Sequence, residues 1–208
     1  DRPNSTMLSR FTISAGTLIL ATIGSTSTTL APFHMDVPGS QFTQTGGTII
    51  IRREGGTGAQ NLGFNCTGGN ISVVTGGTLQ IGDASTPVTQ TMLINTVAPV
   101  GNFLTNSANA TAQLLTNPLV VIQNITLTSG FFIASNLNVS LGGIWNNAGG
   151  TYTAGTNTTN FNGATAQTIT RAAGAENFNH IGFSGAGTKT LGSAINCRNL
   201  TINAGSIV

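Results

Sequence analysis

The chain has 208 residues, of which 6% are charged and 28 are glycine, and its net charge is +2. Soluble globular domains carry about 25% charged residues, so the surface is not that of an ordinary cytosolic enzyme. With 39% hydrophobic residues and little net charge it is not a disordered tail either. Seven Lys and Arg residues form no basic stripe, which excludes nucleic-acid binding by charge. No run of about 18 apolar residues occurs, so no membrane-spanning segment is expected. The most apolar early piece, GTLILATIG (16 to 24), is too short to cross a bilayer.

Taken in chain order, one phrase keeps returning: SAGTLIL (14 to 20), TGGTIII (45 to 51), TGGTLQI (75 to 81), TSGFFIA (128 to 134), AGGTYTA (148 to 154), GAGTKTL (185 to 191) and NAGSIV (203 to 208). In each, glycine follows a small or polar residue and precedes a short run that favours extended backbone. Glycine reaches positive φ without steric cost, so the phrase reads as a corner feeding a strand. Between the copies lie alternating runs such as ISVV (71 to 74), ITLT (125 to 128) and LNVSL (137 to 141). Their period is two, and helical periodicity is nearly absent.

An internal repeat of corners and short strands predicts an all-β fold, a parallel β-solenoid with irregular coils of about 20 to 30 residues. A β-sandwich of short strands is the alternative. One segment, 1–208, is expected to form a single solenoid. The interval 84–124, with Pro87, Pro99, Pro118 and the stretch FLTNSANATAQLL (103 to 115), is expected to leave the regular winding and to hold one short helix. The charge-free stretch TYTAGTNTTNFNGATAQTI (151 to 169) reads as wall, with Tyr152, Phe161 and Ile169 inward and its threonines outward.

From Leu137 onward the order of phrases resembles the repetitive extracellular proteins of Bacteroidota that are exported by type IX secretion and act as adhesins or surface filaments. The residues that carry this are LGGIWNNAGGTYTAG (141 to 155), FNGATAQTI (161 to 169), NFNHIGFSGAGTKTLGSAINCRNLTINAGSIV (177 to 208) and, less closely, TSGFFIASNLNVS (128 to 140). The resemblance implies a β-solenoid on the cell exterior, with no catalytic residue to transfer. The function expected from it is a non-enzymatic structural or adhesive element, a stalk or filament subunit.

The alternative on the same fold is a polysaccharide-active enzyme or carbohydrate-binding module. A glycosidase needs two carboxylates about 5 to 10 Å apart, and the supply is Asp1, Asp36, Glu54, Asp83 and Glu176. Asp36 and Glu54, one coil apart, are the best pair. His34 and His180 lie outside metal-ligand spacing of each other and of any cysteine, so no metal site is expected. No cofactor and no catalytic residue is assigned.

Thr-x-Thr at 126 to 128, 151 to 153, 168 to 170 and 188 to 190 raises ice binding as a minor alternative. The spacings are irregular, and Lys189 is a poor inward residue. Asn-x-Ser/Thr sequons make Asn4, Asn65, Asn70, Asn109, Asn124, Asn138, Asn157 and Asn199 candidate glycosylation sites. Cys66 and Cys197 are 131 residues apart, several coils in a solenoid, and are expected to be buried free thiols, with an intermolecular bridge as the alternative. The chain begins at Asp1 and ends in the apolar Ile207 and Val208, which reads as a segment of a longer chain. Its expected partners are adjoining coils or copies of itself, with surface glycans as a further candidate.

Overall fold

The computed structural model describes residues 8–21, 30–55, 62–68 and 71–203. Among them there is no helix, and the strands fall into successive tiers. The first tier holds β1 (Arg10–Ile13), β2 (Thr17–Leu20) and β3 (Phe33–His34); the second β4 (Gln41–Gln44), β5 (Thr48–Ile51) and β6 (Leu62–Cys66); the third β7 (Val73–Val74), β8 (Thr78–Ile81) and β9 (Gln90–Thr96). In the fourth tier one long strand, β10 (Asn102–Leu114), replaces two, and in the fifth β11 (Leu119–Val121) precedes another long one, β12 (Ile125–Ile133). The sixth tier holds β13 (Val139–Leu141), β14 (Trp145–Asn147) and β15 (Thr151–Thr153); the seventh β16 (Thr158–Phe161), β17 (Gln167–Arg171) and β18 (Glu176–Asn177). The last has β19 (His180–Phe183), β20 (Lys189–Leu191) and β21 (Ile195–Asn196), followed by β22 (Asn199–Ile202).

Every pairing between these strands is parallel and joins one tier to the next, which sorts them into three columns; the first is interrupted between β7 and β11 and the third between β15 and β18. The second column is unbroken: β2, β5, β8, β10, β12, β14, β17 and β20. Successive partners Thr17, Thr48, Thr78 and Asn102, then Phe103, Ile125, Trp145, Ile169 and Leu191, put 31, 30, 24, 22, 20, 24 and 22 residues between tiers. The only antiparallel contact among the described residues is the isolated bridge from Gly55 to Leu62. All-β structure in long parallel sheets is compatible with the expected solenoid and lacks the antiparallel strand pairs on which a sandwich rests.

Side chains alternate between the two faces of a strand, so parallel in-register pairing stacks each inward residue on its counterpart. In the second column Leu18, Ile49, Leu79, Phe103, Ile125, Trp145, Ile169 and Leu191 form one continuous apolar line. The first column contributes Val121, Leu141, Phe161, Phe183 and Ile202, and the third Met92, Ala112, Phe132 and Tyr152. Where the lines meet, aromatic rings pack in sequence, with Trp145 on Tyr152 at 4.8 Å, Trp145 on Phe178 at 5.2 Å and Phe161 on Phe183 at 5.5 Å. Each fully buried Leu, Ile or Phe contributes about 1.5 to 3 kcal/mol.

The interval 84–124 departs from expectation, for it holds β9, β10 and β11 and no helix. Pro87, Pro99 and Pro118 each fall in the non-strand residues just before a strand or bridge, where a missing N–H breaks no ladder. Tyr152, Phe161 and Ile169 point inward, but the threonines around them do not all face out: Thr159 is fully buried, stacked between Val139 and Ile181. Cys66 is buried in β6 and Cys197 is half-buried beside β21. Neither forms a disulfide among the described residues, and the third column separates them by the steps β6, β9, β10, β12 and β15.

Alternation gives a direct check. Ile125→Ala should lower unfolding free energy by about 2 to 5 kcal/mol, whereas Thr126→Ala on the opposite face should change it by no more than about 0.5 kcal/mol. Urea unfolding followed by the emission of Trp145, the only tryptophan, reads both. Equal losses would mean that the two faces are wrongly assigned.

Candidate functional site

Four of the five carboxylates lie in described residues, Asp1 falling outside them. Asp83 accepts from Arg52 Nε at 2.7 Å and from the Ser85 amide at 2.8 Å. Glu54 Oε2 accepts from the Thr91 amide at 2.9 Å, tying the second tier to the third. Asp36 Oδ2 lies 3.0 Å from His34 Nε2, while His34 Nδ1 accepts from the Ala31 amide at 3.3 Å. The candidate pair Asp36 and Glu54 is not brought together. Gly55 bridges Leu62 at the start of β6, whereas the carbonyl of Met35 meets Gly68 beyond its end. Five or so residues of strand, on the order of 16 Å, lie between, outside the glycosidase range.

His180 sits on β19, in register with Thr158 and Asn199 in the first column, whereas His34 is in the third. Among the described residues no three His, Cys, Asp or Glu side chains gather as metal ligands would. A cavity of ≈ 420 Å³ opens on the first tier, lined by Arg10, Phe11, Leu18, Leu20, Phe33 and His34 among others. Among the described residues Phe11, Leu18 and Phe33 are the first members of inward stacks, so this space adjoins the core at its first described tier.

The Thr-x-Thr sites do not share a face. Residues 126 to 128, 168 to 170 and 188 to 190 belong to the second column, but 151 to 153 belongs to the third. Within the second column Asn146 separates Thr126 from Thr170.

Lys189 reverses expectation. It points inward, in register with Gln167, and is fully buried. Its Nζ donates to Gly163 O at 3.0 Å and Gly187 O at 2.9 Å, while Gln167 Nε2 donates to Leu141 O and Gly143 O at 3.0 and 2.6 Å. Both side chains stitch the corner between the first and second columns by donating to its backbone carbonyls. Loss of hydration pushes the Lys189 pKa down, and the two carbonyls offset part of that cost.

Asparagines do similar work. Oδ1 of Asn124, Asn136 and Asn138 accepts from the amides of Ile144, Thr156 and Thr158, one tier on, at 2.9, 2.8 and 2.9 Å. Of the sequon asparagines, Asn4 and Asn70 fall outside the described residues. Asn109, Asn138 and Asn199 are exposed and Asn124 is half-buried. Asn65 and Asn157 are buried. The Asn157 amide donates to Leu137 O at 3.0 Å and Tyr152 Oη at 2.9 Å, so a glycan there would cost both bonds and open the core.

One polar cluster was not foreseen. Glu176, buried beneath β14, accepts from Trp145 Nε1 at 3.0 Å and Asn147 Nδ2 at 2.7 Å through one oxygen, and from Arg171 Nη1 at 2.8 Å through the other. The signal was in the sequence: the chain has one Trp, and Glu176 is its only carboxylate after Asp83. A buried indole N–H seeks an acceptor, and a buried carboxylate seeks a cation.

Tyr152, the only tyrosine, packs against Trp145 and shares a hydrogen bond of 2.9 Å with Thr159 Oγ1. Burial, reinforced by the charge of Glu176 and opposed by the bonds to Thr159 and Asn157, pushes its pKa up from 10.0 to about 12. A raised folded value means that the protein is stabilised below pH 10 and loses that stability between pH 10 and 12, by roughly 3 kcal/mol. Ultraviolet titration should show no phenolate until pH nears 12 in the folded protein, and a midpoint near 10 in urea. A folded midpoint near 10 would place Tyr152 in solvent.

Comparison with protein families, with curated proteins and with solved structures finds no match to this chain.

Proposed function

We propose that the chain is a parallel β-solenoid serving as a non-enzymatic structural or adhesive element, a stalk or filament unit on a cell exterior. The observation that carries this reading is the apolar line from Leu18 to Leu191, which runs without a break through every tier of the second column. Such a column adds length at constant cross-section, which is what a spacer requires. Two further features support it. The carboxylates of Glu54, Asp83 and Glu176 each hold one part of the chain to another. Leu200 and Ile202 on β22 extend the inward stacks of the first column while remaining exposed. They offer a seat for another tier of the same kind, from an adjoining stretch of chain or from a copy.

The experiment sets structure against catalysis. Incubation with a panel of plant, algal and bacterial polysaccharides should release no reducing ends, and small-angle scattering over a concentration series should show a constant cross-section at any particle length. Turnover abolished by Asp36→Asn or Glu54→Gln would overturn the reading in favour of an enzyme. A cross-section that grows with concentration would replace end-on growth by lateral clustering.

A further inference from the structure

Nine of the ten phenylalanines lie in the core or pack against it, and the exception is Phe131, 45% exposed on β12. It stands where the repeated phrase otherwise places Thr or Ser: Thr17, Thr48, Thr78, Thr151, Thr188 and Ser206 each follow the corner glycine, and Phe131 follows Gly130. On the outward face of the third column it sits in register between Thr111 and Thr151, with Thr91 beyond. No core or repeat requirement explains a large apolar ring there.

The ring forms one wall of a cleft of ≈ 230 Å³ whose other walls are Val88, Thr89, Ala108, Asn109 and Thr111. The cleft is held in shape. Asp83 anchors the approaching loop through Arg52, and Asn109 Nδ2 fixes the carbonyl of Thr86 at 2.9 Å. Val88, 77% exposed, is presented at its lip. Thr89 adopts φ 57°, a left-handed conformation that is an outlier for a β-branched residue and that gathers at ligand sites. This strain is a second observation, independent of the exposed ring.

The lining contains no charged side chain, which disfavours ions, phosphate and acidic or basic peptides. It offers an aromatic face, hydroxyls from Thr89 and Thr111 that no protein group engages among the described residues, and the Asn109 amide. Apolar surface beside a few fixed neutral hydrogen-bonding groups is the usual make-up of a small-ligand site. At less than the about 300 Å³ of drug-sized pockets, it suits a single ring. From this we infer that the cleft is a binding subsite for a neutral pyranose, one apolar face of the sugar lying on Phe131 and its hydroxyls meeting Thr89, Thr111 and Asn109. The inference is independent of the stalk reading, since either can fail alone.

Saturation-transfer NMR with the methyl glycosides of glucose, galactose, mannose and N-acetylglucosamine tests it. At least one glycoside should receive saturation from the protein at millimolar concentration. Phe131→Thr, which restores the residue of the repeat, should weaken that binding about tenfold or more while leaving Trp145 emission and the thermal midpoint unchanged. No transfer to any of the four, or equal transfer with Phe131→Thr, would overturn the inference. So would a fall in sedimentation coefficient on Phe131→Thr, which would make the ring a contact between copies. The polysaccharide turnover assay does not depend on this result.

Discussion

The structure depends on one constraint: parallel strands in register must carry like side chains one above another. Where the alternation of Leu18, Ile49, Leu79 and Phe103 continues through Ile125, Trp145, Ile169 and Leu191, inward surface is shared tier by tier and no tier stands alone. A single tier could not bury these residues. A slip of one residue would exchange the two faces, placing Ile19, Ile50, Leu104 and Thr126 inside and exposing the apolar line. The core therefore fixes the register, and the register fixes everything that projects outward, including the row that holds Phe131.

Corners are the weak points of such an arrangement, because a buried corner carbonyl that meets no amide of the next tier needs another donor. The chain meets this with buried amides and one ammonium. Gln167 and Lys189 occupy the same place in consecutive tiers and reach carbonyls of the same kind of corner. Gly47 shows the steric side: its φ is 67°, and a Cβ there would come within 2.9 Å of the carbonyls of Ala15 and Gly16. Glu176 plays the comparable part deeper in, binding the indole and amide of β14 to the guanidinium of Arg171.

The strands were legible in the sequence because period-two alternation and Gly-Thr corners report local geometry. Their assembly was less so. The copies of the repeated phrase share one sequence pattern, yet Gly16, Gly47, Gly77 and Gly187 lead into the second column while Gly130 and Gly150 lead into the third. Mixing two corners made the spacing look irregular, although steps along the second column run only from 20 to 31 residues. The interval 84–124 holds no helix, and its three prolines fall at corners between strands, which proline content alone does not distinguish from an interruption. The inward position of Lys189 is not legible locally, because charge argues against burial unless carbonyl acceptors are in place, and their placement is a property of neighbouring tiers. The Phe131 cleft joins residues 88 to 131 from three tiers, which no local pattern reports.

Stacking in register is most directly tested by spin-label distances along one outward row. Ile19 leads through Ile50, Gln80 and Leu104 to Thr126, four strand steps away, and through Asn146 to Thr170, six away. With the native cysteines replaced, labels at Ile19→Cys and Thr126→Cys should lie about 19 Å apart, and at Ile19→Cys and Thr170→Cys about 29 Å apart, at about 4.8 Å per step. A second distance equal to or shorter than the first would contradict the stacked tiers.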